Sequence, residues 1–279
     1  MHIAALNIHP VKSTAIRPID RAVIEPSGLR GDRRWMITDS DGVLVSAREL
    51  PLLFSIVADT PDTAPDVHSA LRLQAPGAPT LELAEPNRAR VPIRLHSKDL
   101  EGIPAGEMAD DWLRQVTGQD MRLVWCDEPG RRSLNPEWSR PGDHTAFADS
   151  APVTVVSLAS LHQLNAWIAE GAAERGEPEP EPLPIERFRP NVVVDGVTEA
   201  FAEDGWPRIQ IGDCVLRRGK LTDRCVMTTI DTGTLAKSKE PIRTLARHRR
   251  WDGKTWFAVR MVPEGTGIAR VGDPVSILR

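Results

Sequence analysis

Tyrosine is absent from this sequence, and cysteine occurs only three times in its 279 residues. No tyrosine hydroxyl can therefore take part in the chemistry. Cys126, Cys214 and Cys225 are an odd number and form no C-x-x-C pair, which argues against a disulfide framework. The seven histidines are scattered singly, so no Cys/His cluster has the spacing of a zinc site.

Long apolar runs and an excess of positive charge are missing as well. Nothing approaches a run of about 18 apolar residues, so we expect no transmembrane helix and no membrane partner. The opening MHIAALNIHPVKS lacks a basic start and a long apolar region, so a secretory signal is not expected and the default location is cytoplasmic. The net charge of −4 gives no basic field that would draw the chain to nucleic acid.

Several catalytic motifs are absent too. There is no G-x-S-x-G elbow, no H-E-x-x-H and no dinucleotide-binding G-x-G-x-x-G. The stretch RRGKLTD (217–223) resembles a P-loop only superficially, because Lys220 is followed by leucine rather than serine or threonine. The chemistry must therefore come from residues that these motifs do not identify.

Short apolar segments separated by turn residues make up most of the chain. The sequence has 20 glycines and 24 prolines, and the segments between them, such as residues 2–8, 53–58, 91–95, 153–157 and 225–231, are typical of strands. Few helices and no alternation of strand and helix favour a mostly β fold with peripheral helices (α+β), in the form of β-barrel domains. The length suits two modest domains.

Three stretches have helical periodicity. Residues 105–118 place Met108, Trp112, Leu113 and Val116 on one face, and Gly118 is suited to end that helix. A second helix follows the strand at 153–157, with Ser157 or Ser160 as its N-cap. A third covers about 240–250.

A long polar segment divides the chain. Residues 127–152 are rich in proline, and a loop of this length is usually functional or disordered. We therefore expect an N-terminal β domain at 1–125, a connecting loop at 126–152 and a second domain at 153–279.

The stretch LTDRCVMTTIDTGT (221–234) contains the cysteine of greatest interest. A guanidinium near a thiol favours the reactive thiolate. Arg224 precedes Cys225, but adjacent side chains of a strand point to opposite faces, and Asp223 offsets the charge. From spacing alone Cys225 can be a packing residue or a reactive thiolate, and packing is the commoner role. Cys126 and Cys214 are expected to pack in the interior.

Several stretches read together narrow this choice. HPVKS (9–13), GLRGDRRWMITDSDGVLVSAREL (28–50), RFRPNVVVDG (187–196), IGDCVLRRGKLTDRCVMTTIDTGT (211–234) and VGDPVSIL (271–278) occur in this order. The set resembles the MOSC proteins with an N-terminal MOSC β-barrel domain, and among them the amidoxime-reducing molybdenum enzymes. The resemblance covers nearly the whole chain. It implies a MOSC β-barrel at 153–279 and a barrel-like domain before it.

The resemblance also implies roles for nine residues. Cys225 matches the family's molybdenum ligand, with Asp223 and Arg224 as cofactor contacts. Lys12 and Ser13 match residues that hold the phosphate of the pyranopterin. The remaining matches to cofactor-binding positions are Arg33, Ser150, Arg189 and Asn191.

The chemistry of these residues agrees with an anionic cofactor. A molybdopterin carries a phosphate and a dithiolene, and Lys12, Arg33, Arg189 and Arg224 supply positive charge in a chain of negative net charge. A thiolate suits a metal that is already bound to sulfur. Asp223 departs from the serine of mitochondrial relatives, and its carboxylate lies near an anionic cofactor.

The implied function is a molybdenum oxidoreductase that reduces N-hydroxylated compounds, such as amidoximes and N-hydroxylated bases. Electrons are expected from a separate protein, a ferredoxin, a cytochrome b5-like protein or a flavoprotein reductase, because no four-cysteine ferredoxin-like segment follows residue 279. One alternative is a carrier of molybdenum cofactor or of sulfur, with a persulfide on Cys225. Another is a cofactor-binding module without catalysis of its own.

Overall fold

The protein, described by a computed structural model over residues 1–279, is built mainly of strands. The strands of the first half are β1 (His2–Ile8), β2 (Arg17–Ile19), β3 (Arg21–Glu25), β4 (Gly28–Leu29), β5 (Trp35–Asp39), β6 (Val57–Asp59), β7 (Leu71–Gln74), β8 (Leu81–Leu83), β9 (Val91–Leu95), β10 (Lys98–Pro104) and β11 (Met121–Trp125). The expected mostly β, α+β class is confirmed.

The second half adds eight strands and two of the three α-helices. Its strands are β12 (Val153–Ser157), β13 (Val192–Asp195), β14 (Arg208–Ile211), β15 (Cys214–Asp223), β16 (Arg250–Trp251), β17 (Lys254–Pro263), β18 (Gly267–Arg270) and β19 (Val275–Leu278). The helices of the chain are α1 (Glu107–Thr117), α2 (Leu158–Glu174) and α3 (Ile242–His248). Short 3-10 helices cover Pro51–Ser55, Pro129–Arg131, Ile185–Phe188, Ala202–Gly205 and Val226–Thr229.

The largest sheet joins the two ends of the chain. Its strand order is β19-β14-β15-β17-β12-β13-β1-β2, with β16 paired to β17. Only β12 and β13 pair in parallel, and α2 lies in the connection between them. Residues that precede β19 also bond to β1, since the Ile3 amide donates to the Asp273 carbonyl at 2.9 Å. Closure into a barrel and the domain limits at 125 and 153 stay predictions.

Three smaller sheets complete the fold, with the orders β5-β11-β10-β9, β18-β3-β4 and β6-β7-β8. A core cluster of 20 buried residues lies on the largest sheet and includes side chains from β1, β2 and β3. A second cluster of 18 buried residues packs around α1 and the strands β5, β6, β7, β8 and β11. Burial of this apolar surface is the main stabilising contribution to both halves.

Local signals explain the helix limits. Gly118 has φ of 69°, and this left-handed conformation ends α1 as predicted. The predicted apolar face was partly wrong, because Met108 is 64% exposed and Ala109 is buried in its place. The buried residues are Ala109, Trp112 and Leu113, which have the i, i+3, i+4 spacing of one helix face, and the predicted Val116 packs against the same cluster half-buried.

Two further expectations meet different outcomes. Ser157 is the N-cap of α2, and its hydroxyl accepts a hydrogen bond from the Ser160 amide at 3.1 Å, so this prediction is confirmed. The strand predicted over 53–58 is wrong in its first part, where the 3-10 helix Pro51–Ser55 precedes β6. Pro51 starts that helix, because proline is favoured in a first helical turn. No helix of the protein is long and apolar enough to cross a membrane.

Candidate functional site

Cys225 follows the end of β15 and is exposed at the surface. Cys126 and Cys214 are buried in hydrophobic clusters, where burial raises the pKa of both thiols. Cys225 is therefore the cysteine most accessible to a ligand from solvent.

The backbone around Cys225 is not the strand that was expected. Residues 226–229 form a 3-10 helix instead. The Thr228 hydroxyl donates to the Cys225 carbonyl at 3.0 Å, and the Thr229 hydroxyl donates to the Val226 carbonyl at 2.7 Å. These local bonds use carbonyls that a strand would offer to a neighbour, so the threonines favour a turn over pairing.

Cys225 opens into a cleft of about 310 Å³, which we call the cationic cleft. Its lining comes from both halves of the chain and includes Lys12, Ser13, Arg33, Ser46, Arg48, His96, Asp149, Ser150, Thr154, Arg187, Phe188, Arg189, Lys220, Asp223, Arg224, Cys225, Met227, Thr228 and Arg260. Eight of these side chains are lysine or arginine, and only two are carboxylates. The cleft therefore favours an anionic ligand in a chain whose net charge is negative.

Eight of the nine residues singled out from the sequence line this cleft. They are Lys12, Ser13, Arg33, Ser150, Arg189, Asp223, Arg224 and Cys225. The ninth, Asn191, lies behind the wall and is fully buried. Its amide oxygen accepts from the Thr154 amide at 3.1 Å and from Arg33 at 3.4 Å, and its nitrogen donates to the Asn7 carbonyl at 3.1 Å. Asn191 thus holds the cleft wall rather than facing a ligand.

Three of the lining residues singled out from the sequence have backbones in the left-handed region, as does the lining residue His96 with φ of 56°. Ser13 has φ of 70°, and Arg33 and Arg189 each have φ of 50°. None is glycine, so each conformation costs on the order of 1 kcal/mol and must be held by its surroundings. For Arg33 that support includes the hydrogen bond that its backbone amide donates to the His9 carbonyl at 2.8 Å. These uncommon conformations set the direction in which the hydroxyl and the two guanidinium groups leave the backbone.

Five buried hydrogen-bond donors without partners belong to residues that line the cleft. They are the Ser13 hydroxyl, Nε and Nη1 of Arg187, Nη2 of Arg189 and Nη2 of Arg224. An unpaired buried donor costs about 1–3 kcal/mol, and more when it is charged. Burial, followed by the charge of Arg33, lowers the pKa of Arg189 to about 9. An anion in the cleft would satisfy these donors and remove the penalty on the charged guanidinium groups.

Arg224 is turned away from its neighbour Cys225. Its Nε donates to the Phe257 carbonyl at 2.7 Å, and its Nη1 donates to the Phe188 carbonyl at 3.0 Å. The guanidinium lies 5.5 Å from the Phe188 ring and 5.9 Å from the Phe257 ring. Burial, followed by the charge of Arg260, lowers its pKa to about 9. The Nη2 of Arg224 has no partner and remains for a ligand.

The cation that touches the cysteine is Arg48, which sequence reasoning did not single out. Its Nε donates to Cys225 Sγ at 3.2 Å across a sequence separation of 177 residues. A guanidinium in this position stabilises a thiolate. Arg48 lies within the stretch 28–50 that carried the family resemblance, but nothing in its local pattern distinguishes it from a surface arginine.

Asp149 is a second residue that the sequence did not reveal. Its carboxylate accepts from Lys12 at 2.5 Å and from His96 at 3.1 Å, and it lies 3.8 Å from Arg48 and 3.9 Å from Arg260. Burial alone would raise its pKa, but these cations, with Lys12 contributing most, hold the pKa well below the usual range. Asp149 is thus an ionised group that orders four cationic or protonatable side chains of the cleft.

Lys12 keeps only part of its ammonium group for the implied phosphate contact. Its ammonium donates to Asp149 and, at 2.9 Å, to the Phe147 carbonyl, so one of its three donors remains. Burial lowers its pKa to about 8, although Asp149 opposes that shift. Asp223 lies at the exposed edge, where its carboxylate accepts from the Thr255 amide at 3.3 Å.

Comparison with known proteins finds one family match in each half of the chain. Residues 1–120 match the family described as the MOSC N-terminal beta barrel domain, and residues 142–276 match the MOSC domain. The human mitochondrial amidoxime-reducing component 1 is 33% identical over 99% of this chain and 82% of its own length. The chain belongs to the amidoxime-reducing component family of MOSC proteins. The resemblance drawn from its motifs is therefore confirmed.

Two further members of the amidoxime-reducing component family show similar coverage. Mitochondrial amidoxime-reducing component 1 of Xenopus laevis is 30% identical over 98% of this chain and 81% of its own length. The human mitochondrial amidoxime reducing component 2 is 30% identical over 98% of this chain and 82% of its own length. Both MOSC matches contribute to the cationic cleft, since Lys12, Arg33 and Arg48 lie in the first and Arg189 and Cys225 in the second.

Proposed function

We propose that this protein is a molybdenum-cofactor-dependent reductase of N-hydroxylated compounds such as amidoximes and N-hydroxylated bases. The observation that carries the proposal is the exposed Cys225 beside a cleft with unpaired buried cationic donors. Family membership supports it, because relatives that cover nearly the whole chain are named amidoxime-reducing components.

The donor set suits a molybdopterin. The unpaired donors of Ser13, Arg187 and Arg189 fit the acceptor oxygens of a phosphate or the polar edge of a pterin. Cys225 supplies a soft thiolate for a metal that is already bound to sulfur. When bound, the cofactor supplies the redox chemistry that cleaves an N–O bond.

The side chains of the cleft would bind the cofactor and orient it. Arg33 and Arg189 are fixed by their backbones and by Asn191 and Thr14, whose carbonyl accepts from Arg189 at 2.7 Å. Arg48 donates to the Cys225 sulfur, the atom that would hold the metal. Asp149 holds Lys12, and the remaining ammonium donor can point at an anion in the cleft.

Conversion of an N–OH group to N–H releases water and consumes a pair of electrons and a pair of protons. We propose that a separate protein supplies the electrons, a ferredoxin, a cytochrome b5-like protein or a flavoprotein reductase. The exposed position of Cys225 supports this, because a partner can approach the site from solvent. A cytoplasmic location remains part of the proposal.

Metal analysis tests the ligand assignment. The intact chain and Cys225→Ser are produced in a host that makes molybdenum cofactor, with Cys126→Ser as the matched control at a buried thiol. We expect molybdenum in the intact chain and the control, and little in Cys225→Ser. Equal molybdenum in all three would remove Cys225 as the ligand.

A reduction assay tests the activity itself. The molybdenum-loaded protein is given benzamidoxime and a chemical reductant, so the physiological electron donor is not needed. Formation of benzamidine supports the proposed reductase. Tight molybdopterin binding without any reduction would instead identify a binding module.

The exposure of Cys225 also suits the alternative of a sulfur carrier. Mass spectrometry after mild sulfur loading separates the two functions. A cyanide-labile adduct on Cys225 in protein that holds no molybdenum would favour the carrier, whereas the reductase predicts metal and no such adduct.

A further inference from the structure

A second cavity lies beside the cationic cleft, and we call it the side pocket. It has a volume of about 420 Å³. Four residues, His96, Asp149, Ser150 and Lys220, line both cavities, so the two spaces are neighbours.

One wall of the side pocket is the indole of Trp138, on the 127–152 loop. Gly219 of β15 lets the ring lie against the strand, because a Cβ there would come within 3.1 Å of Trp138 Cε3. The Lys220 ammonium lies 5.4 Å from the ring centroid. The loop is tied to the end of β17 by Arg140, which donates to Glu264 at 2.8 Å. Trp138 is therefore a positioned flat surface rather than a free loop side chain.

The rest of the pocket is less suited to an anion than the cleft is. Leu95 and Leu134 add buried apolar surface, and none of the unpaired buried donors lines this cavity. Arg132 is committed to backbone carbonyls, including that of Asp149 at 3.0 Å. Arg131 pairs with Glu128 at 3.2 Å. The lining also contains polar groups such as Lys98, Lys220 and Asn135, but the indole face and the side chains of Leu95, Leu100 and Leu134 form an apolar surface that can receive a planar aromatic group.

We propose that the side pocket binds the aromatic ring of an N-hydroxylated substrate whose N–OH group lies in the cationic cleft, with Trp138 as the residue that selects for the ring. This rests on the proposed reductase function. It makes Trp138 a specificity residue that does not touch the reacting atoms.

The test compares benzamidoxime with acetamidoxime, which carry the same reacting group on a phenyl ring and on a methyl group. The molybdenum-loaded full chain is measured with a chemical reductant as wild type, Trp138→Leu and Trp138→Phe. Trp251→Leu is the control, since Trp251 is exposed and lines neither cavity. We expect Trp138→Leu to raise KM for benzamidoxime about tenfold with kcat little changed. Acetamidoxime should be unaffected, and Trp138→Phe should restore most of the loss.

A binding measurement runs beside the kinetics. Saturation-transfer NMR of the benzamidoxime ring protons should show contact with the loaded wild type and a much weaker signal with Trp138→Leu. Equal KM changes for the two substrates, or an unchanged ring signal in the variant, overturn the side-pocket assignment. Ring binding that depends on Trp138 without reduction of either compound would reject the reductase and keep the pocket.

Discussion

Arg48 and Cys225 meet at 3.2 Å although 177 residues separate them in the chain. The contact joins the first half of the protein to the cysteine of the second half. Arg48 also lies 3.8 Å from Asp149, so the cysteine is linked through one guanidinium to the carboxylate that orders Lys12. Chemistry at Cys225 therefore depends on residues from three separate parts of the sequence.

Removal of the Arg48 charge should slow the reaction of Cys225 with an alkylating agent. In the cofactor-free protein at pH 7, we expect Arg48→Gln to react with iodoacetamide about tenfold more slowly than wild type, because the thiolate loses its charge-assisted donor. Arg48→Lys, which keeps the charge, should fall between them. Cys225→Ser must show no labelling, since the other cysteines are buried. An unchanged rate in Arg48→Gln would contradict the role given to this contact.

Asp149 should compete with anions for the cations around it. Asp149→Asn leaves Lys12, Arg48 and Arg260 without their opposing charge, so inorganic phosphate should bind about tenfold more tightly in calorimetric titration. Asp223→Asn is the matched control, because Asp223 forms no ion pair with these cations, and we expect at most a small change there. If Asp149→Asn weakens phosphate binding, its carboxylate orients Lys12 more than it competes.

Asn191 should matter for stability more than for direct ligand contact. Asn191→Ala leaves the buried Thr154 amide and the Asn7 carbonyl without partners, and we expect a loss of about 3 kcal/mol in the free energy of unfolding. Asn191→Asp keeps an acceptor for Thr154 and should lose less. Urea unfolding of the cofactor-free proteins measures both. Wild-type stability in Asn191→Ala would show that solvent or a shifted side chain takes over these bonds.

Stability should fall in acid partly because of Asp32. Burial alone would raise its pKa, but Arg33 and His9 lower it to about 2 from an ordinary value of 3.8. A depressed pKa contributes stability that is present above pH 4 and is lost as the pH falls through about 2, and here it amounts to about 2 kcal/mol. The stability difference between wild type and Asp32→Asn should therefore shrink between pH 6 and pH 2.5. A difference that stays constant over this range would show that the charge of Asp32 is not its source.

Local patterns carried the parts of this fold that depend on neighbouring residues. The Ser157 cap and the Gly118 end follow from the needs of helix termini, and β1 follows from an apolar run bounded by turn residues. The 3-10 helix after Cys225 could not be separated from a strand. Its short apolar run suits both, and two threonine hydroxyl bonds decide between them.

The residues of the candidate site also fall into two groups, those that the sequence predicted and those that it did not. Eight of the residues that the sequence motifs identified line the cleft. Arg48 and Asp149 were missed, since their importance arises from contacts that span 177 and 137 residues. Neither hydrophobic periodicity nor the spacing of residues in a motif predicts contacts over such long sequence separations. Lys12 was found, but its partner was not, so the sequence overstated how free its ammonium is.

The strand pairing of β1 has a consequence for synthesis of the protein. His2–Ile8 leaves the ribosome long before its partner β13, which begins only at Val192. Until that partner is made, the β1 segment has an unpaired edge, and such edges promote association with other chains. The largest sheet and the cleft beside it can therefore be completed only after strands from both halves have been synthesised. A cofactor can be enclosed only after that point.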